Sequence, residues 1–348
     1  MRKSRQSNLR RRTAGIGVLG CIALISACGG DAASSPGDGG ATDAGPSIDG
    51  AADAAPSEDA PAETAPPPPQ CDPIKPFAAP ILVGGVNSGT GDLEAWLSDD
   101  EFTIYFATSR HVGHATDIYT STRNEASDPF NAPVAILGAI DTVDAEHSPR
   151  LSADESSLYF ESSKRVTGST SHRIFVATRA LASDPFANVV VVPVISAAAT
   201  EDDVDPSLGF PRGMYFASNR AGSTGYDLYR AHLGAGGFEA PAIVAGVSSA
   251  SAEQSPVPSI DELTLFWASD RADGGAKGAD DIWMATRATP GAPFSAPHPV
   301  LELNTALVDR PNWLSPDGCT LYFSSTRSAG TDAGPAGTSH IWKATRPK

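Results

Sequence analysis

No acidic residue occurs in the first 27 positions, no Lys or Arg occurs from Gly29 to Gln70, and no apolar run reaches the length of a membrane-spanning helix. Each absence narrows the possibilities. The first segment, "MRKSRQSNLRRRTAGIGVLGCIALISAC", has six basic residues ahead of an apolar run from about Gly15 to Ala27. That run falls short of the roughly 18 residues a bilayer-spanning helix needs, so the segment (1–27) reads as a secretory signal peptide. From Gly29 to Gln70 the chain is almost all Ala, Gly, Asp, Pro, Ser and Glu, which cannot bury enough apolar surface to offset the entropy of ordering. It reads as a disordered, acidic tether with a root-mean-square reach on the order of 35 Å. P-loop, G-x-S-x-G and H-E-x-x-H motifs are missing, and no window beyond the signal peptide has a helical period.

Without the six basic residues of the signal peptide, 19 basic residues face 41 acidic ones, a formal charge of −22. Nucleic acid and anionic lipid surfaces are therefore poor partners, whereas basic peptide segments, cations and neutral glycans remain open.

What the chain does have is repetition. Five segments align without gaps: "LSDDEFTIYFATSR", "LSADESSLYFESSK", "SLGFPRGMYFASNR", "PSIDELTLFWASDR" and "LSPDGCTLYFSSTR". Their second aromatic falls at Phe106, Phe160, Phe216, Trp267 and Phe323, and a basic residue follows four positions later at Arg110, Lys164, Arg220, Arg271 and Arg327. A second element follows each ("DIYTSTR", "RIFVATR", "DLYRAHL", "DIWMATR", "HIWKATR"). A third begins at a Phe that precedes the next aromatic landmark by 29 or 30 residues every time. Short β-branched and aromatic runs bounded by Gly, Pro, Asp and Ser are strand chemistry. Four strands, a to d, at a period of 51 to 56 residues predict an all-β, five-bladed β-propeller with four antiparallel strands per blade over residues 71–348. The chain opens with a lone d strand near Pro80 to Val83 and closes with a, b and c, so the N-terminal strand is expected to complete the last blade.

Candidate sites are weighed against this repeat. The Asp at Asp100, Asp154, Asp261 and Asp317, replaced by Phe210 in one copy, reads as a turn former between strands a and b. Arg110 with Asp117, Arg220 with Asp227 and Arg271 with Asp281 are expected to pair across the b–c hairpin. Fourteen residues before each landmark stands an acid, Asp92, Glu146, Asp202, Glu253 and Asp309. Either these form a negative ring at one mouth of the channel that binds a cation or basic segment, or each carboxylate accepts bonds within its own blade. "ATEDDVDP" offers Asp202, Asp203 and Asp205 as calcium ligands or as a solvated charge run; no other cofactor is implied. His111 and His114 lack a third zinc ligand in the sequence. Cys71 and Cys319 are expected to form a disulfide that staples the ring, contributing about 3 to 5 kcal/mol.

Two resemblances follow. "LISAC" resembles the lipobox of bacterial lipoproteins, which implies that Cys28 is lipidated, that 28–70 is the tether, and that the protein is exported and held at the outer membrane by its lipid anchor. The "SPDG-x-x-L-Y-F-x-S-x-R … D-I-Y" pattern resembles the WD-like (Pro-Asp type) propeller repeats of TolB and related periplasmic proteins, over about Phe77 to Lys348. The chain is expected to be a monomeric binding or scaffold module for an envelope protein, a basic peptide segment or a glycan, and a non-enzymatic one because its repeated acids are equivalent copies where acid–base catalysis needs carboxylates in unlike environments. The competing class is a glycan-processing enzyme, since five-bladed propellers also house glycosidases that use inward carboxylates as acid and base.

Overall fold

The structure, a computed structural model, describes residues 71–348 except 164, 166–169, 197–199, 210–212, 224 and 330–336. The segments read from the sequence as signal peptide (1–27) and tether (28–70), with Cys28, and also Lys164 and Phe210, lie outside the described residues. The fold is all-β. Five antiparallel sheets form a five-bladed propeller, with innermost strands Asp92–Leu97, Glu146–Leu151, Asp203–Gly209, Glu253–Pro258 and Asp309–Leu314 touching one another around the axis.

Within each blade the chain runs outward. Blade 1 continues through Thr103–Thr108, Asp117–Thr122 and Val134–Ala135, blade 2 through Ser157–Ser162, Arg173–Thr178 and Ala187–Val191, and blade 4 through Thr264–Ser269, Asp281–Thr286 and His298–Pro299. Blade 3, with Gly213–Ser218 and Asp227–Gly234, carries two short outer strands, Gly237–Phe238 and Ala242–Ile243. Blade 5 has Thr320–Ser325 and His340–Thr345, and its outermost strand is Ile81–Leu82, with Ile81 opposite Lys343 and Leu82 opposite Trp342. The ring is thus closed by the first strand of the chain, which covers the longer His340–Thr345 and leaves an edge only two residues long at the seam.

Each second strand is pressed between two neighbouring blades and is buried on both faces, as in Gly213–Ser218, Thr264–Ser269 and Thr320–Ser325. That explains why these runs are continuously apolar instead of alternating. The landmarks Phe106, Phe160, Phe216, Trp267 and Phe323 are fully buried, each contributing roughly 2 to 3 kcal/mol by area. Each faces a strand-c aromatic across the sheet: Tyr119, Phe175, Tyr229, Trp283 or Trp342.

The Asp turns behave as their chemistry dictates. Asp100 Oδ1 accepts from Ser98 Oγ at 2.6 Å and from the Phe102 N–H at 2.9 Å, and Asp154, Asp261 and Asp317 repeat the arrangement. Cys71 and Cys319 are joined, with Cα atoms 5.2 Å apart.

Candidate functional site

The acids that open strand a do not face a channel mouth. Asp92, Glu146, Glu253 and Asp309 are fully buried, and each is gripped by an arginine from the end of strand b. Arg110 Nη2 lies 2.5 Å from Asp92 Oδ1, Arg271 Nη2 2.6 Å from Glu253 Oε1, and Arg327 Nη2 2.6 Å from Asp309 Oδ1. In blade 2 the grip on Glu146 comes from Arg165 at 3.0 Å, one residue past the aligned Lys164. In blade 3 the gripped acid is Asp203, 2.6 Å from Arg220, instead of Asp202. The a–b turn there is one residue shorter: Leu208 lies opposite Met214, where Leu97 lies opposite Ile104 in blade 1. A gapless count from Phe216 therefore overshoots the strand-a acid by one.

The same arginines give a second bond to a carbonyl just past strand d, such as Val86 O or Val247 O, and lie over the paired aromatics. They do not bond Asp117, Asp227 or Asp281, so the expected b–c ion pairs are replaced by a clasp between strands a, b and d. Burial raises the carboxyl pKa of Glu146, Asp203 and Glu253, with the arginine and hydroxyl bonds pulling the other way. Removing one partner of such a pair would strand a buried charge.

The channel is lined by residues further along strand a. Every strand a carries a one-residue bulge, and in four blades a bulge residue has positive φ: Glu94 (58°), Ser148 (51°), Asp205 (53°) and Ser255 (51°). Each presents its N–H to the preceding blade. Glu94 N–H goes to Ser324 Oγ (3.0 Å), Ser148 N–H to Glu94 Oε2 (2.9 Å), Asp205 N–H to Glu161 Oε2 (2.7 Å) and Ser255 N–H to Asp205 Oδ2 (3.0 Å). The fifth position is Pro311, which has no N–H and cannot reach positive φ. The relay is open between blades 4 and 5, and there Arg310 instead pairs with Asp280 at 2.6 Å.

These channel charges are unlike one another. Burial would raise the Glu94 carboxyl, yet the His147 charge and hydrogen bond, with the Ser148 N–H, hold it down to about 2. Burial would lower His147, but Glu94, with Nδ1 to Oε2 at 3.0 Å, lifts it to about 9. Glu161 is raised by burial and by the charges of Asp205 and Glu94, with His172 opposing. Arg150, buried, crosses the channel from blade 2 to bond the Asn312 carbonyl of blade 5 at 3.1 Å. On the a–b turn side of Arg150 opens a cavity of about 560 Å³, walled by Trp96, Tyr159 and Trp313 and rimmed by Asp99, Asp100 and Glu155.

Asp202, Asp203 and Asp205 do not converge as a calcium set. Asp202 accepts the His172 N–H and the Tyr226 hydroxyl, Asp203 is held by Arg220, and Asp205 accepts from Ser148 and Ser255 in the channel. Glu94, His147, Arg150 and Glu161 escape a search for repeated residues because no other blade repeats them. Their signal is the departure from the repeat at aligned strand positions.

No family model matches the chain, and no curated protein matches it. Solved structures do. A putative TolB from Agrobacterium tumefaciens is 12% identical, with TM-score 0.44, over 74% of this chain and 91% of that one. An endo-arabinase from Bacteroides thetaiotaomicron is 14% identical, with TM-score 0.47, over 78% of this chain and 98% of that one. A family 117 glycoside hydrolase from Zobellia galactanivorans is 11% identical, with TM-score 0.47, over 78% and 90%. Resemblances this distant bear on neither activity nor partner.

Proposed function

We propose that the protein is a lipid-anchored, non-enzymatic binding module of the bacterial cell envelope that receives a basic peptide segment or a glycan in the cavity at the a–b mouth. The observation that carries this reading is the commitment of the channel carboxylates. Glu94, Glu161 and Asp205 each accept the backbone N–H of the next blade, so they serve as cross-links of the ring. The cavity itself offers a binder's surface: indole and phenol walls, an arginine floor and an acidic rim. Aromatic walls suit sugar faces and peptide side chains, while Asp99, Asp100 and Glu155 suit a cationic segment. The test is affinity purification of the full chain from envelope membranes, beside Trp96→Ala/Trp313→Ala. Loss of the captured partner from a folded double variant supports the reading; undiminished capture refutes the cavity as its site.

A second reading rests on the unlike acids, Glu94 held near 2 and Glu161 raised. An ionised carboxylate near a protonatable one is the pattern of a glycosidase. Hydrolysis of aryl glycosides that disappears in Glu161→Gln would favour the enzyme over the binder.

A further inference from the structure

The b–c loop of blade 1 brings together side chains that the sequence scatters. His111, His114 and Asp117 stand three residues apart, and Asp141 comes from the segment leading to blade 2. His111 Nδ1 is 3.0 Å from Asp117 Oδ2 and His114 Nδ1 is 3.0 Å from Asp117 Oδ1. Asp141 Oδ1 lies 3.3 Å from His114 Nδ1 and 3.9 Å from His111 Nδ1. One ligand atom from each of the four lies within 4.8 Å of the others.

Two observations separate this group from an ordinary polar loop. Asp141 Oδ1 is buried and accepts no hydrogen bond, an arrangement costly for a carboxylate. Asp141 also occupies a position that elsewhere has a structural job. It stands five residues before the strand-a acid, as do Asn87 and Asn304. Asn87 bonds the N–H and C=O of Ile341, and Asn304 those of Ile282, at 2.7 to 3.0 Å. A carboxylate cannot donate to that carbonyl, so blade 1 abandons the repeat's bond at the place where it gains two histidines.

We propose that His111, His114, Asp117 and Asp141 form a structural zinc site. Imidazole nitrogen with carboxylate oxygen is a zinc donor set, while calcium prefers oxygen alone. A tetrahedral ion with ligands at about 2.0 to 2.1 Å has ligand edges of about 3.3 Å; with one atom taken from each residue every edge here is within 4.8 Å, so modest side-chain rotation draws the four onto one ion. The ion would tie the b–c loop of blade 1 to the crossing into blade 2 and neutralise two adjoining carboxylates.

The test uses the full chain stripped with a chelator, titrated calorimetrically with zinc chloride and, separately, with cobalt(II) read by its visible spectrum. The expected result is one equivalent of zinc, a tetrahedral cobalt spectrum and a zinc-dependent rise in Tm. His114→Ala and Asp141→Asn are expected to weaken zinc binding about 100-fold or more, while His298→Ala leaves it unchanged. Asp141→Asn restores the residue found in two sibling blades, so it keeps the fold while removing the ligand. Absence of stoichiometric zinc binding, zinc binding that survives both variants, or a response to calcium in preference to zinc would overturn the assignment.

Discussion

Glu94 and His147 depend on each other for their charge states, and the protein's stability should follow. The imidazole, near 6.5 in an unfolded chain, is lifted to about 9 in the folded one. A raised cationic pKa contributes stability that is complete below about 6.5 and is lost as pH climbs through about 9. The depressed Glu94 carboxyl, near 4.5 unfolded and about 2 folded, contributes above about 4.5 and is lost as pH falls toward 2. Because both describe one ion pair, the two windows are not additive, and stability from the pair is greatest between about 4.5 and 6.5. Urea midpoints should therefore fall from pH 6.5 to 9 by the equivalent of roughly 1 to 3 kcal/mol, and Glu94→Gln should flatten most of that fall. A wild-type midpoint constant across the interval would contradict the pairing. Such pairs were invisible in the sequence for a physical reason: Glu94 and His147 are 53 residues apart and meet only because neighbouring blades abut. The acids that were visible, because they repeat, are the ones their own arginines enclose.

Strand b was legible because burial on both faces demands an unbroken aromatic and β-branched run, strand c because its buried first half carries an aliphatic–aromatic pair in every blade, and the a–b turns because Asp must bond its own backbone. The bulges of strand a left no such trace. Glu94, Ser148, Asp205 and Ser255 have little in common chemically; what unites them is a backbone N–H that the adjoining blade accepts. The same limit explains Asp202, since a one-residue deletion in a turn is silent until register is seen. Gly85 was equally silent. It has φ +89°, and a Cβ there would stand 1.9 Å from the Phe130 carbonyl oxygen of the next blade, whereas Gly91, at φ +109°, has open space around it. Gly85→Ala should therefore combine strain with collision and cost about 3 kcal/mol or more, and Gly91→Ala strain alone, about 1 kcal/mol. Equal losses in parallel denaturant titrations would show that the close approach of the two blades does not matter.

Circular closure could be inferred from strand order alone, because a chain that begins with d and ends with c has only one partner left to find. The joining of Cys71 to Cys319 spans 248 residues, so the chain-entropy model gives it about 5 to 6 kcal/mol, somewhat above the figure expected from the sequence. Cys71→Ser/Cys319→Ser should lose that much in equilibrium unfolding, and a loss under about 1 kcal/mol would mean the seam holds without it. Its placement also has a mechanical side. The closing strand is two residues long, Ile81–Leu82, and alone would peel from His340–Thr345 one hydrogen bond at a time. Cys71 lies upstream of it, fixed to the turn before Thr320–Ser325, and its N–H bonds the Asp317 carbonyl at 3.1 Å. Tension entering through residue 70 is delivered to an inner hairpin of blade 5 before it reaches the short outer strand, so a chain pulled from its N-terminus loads a covalent bond, and the seam bears force only once that bond is reduced.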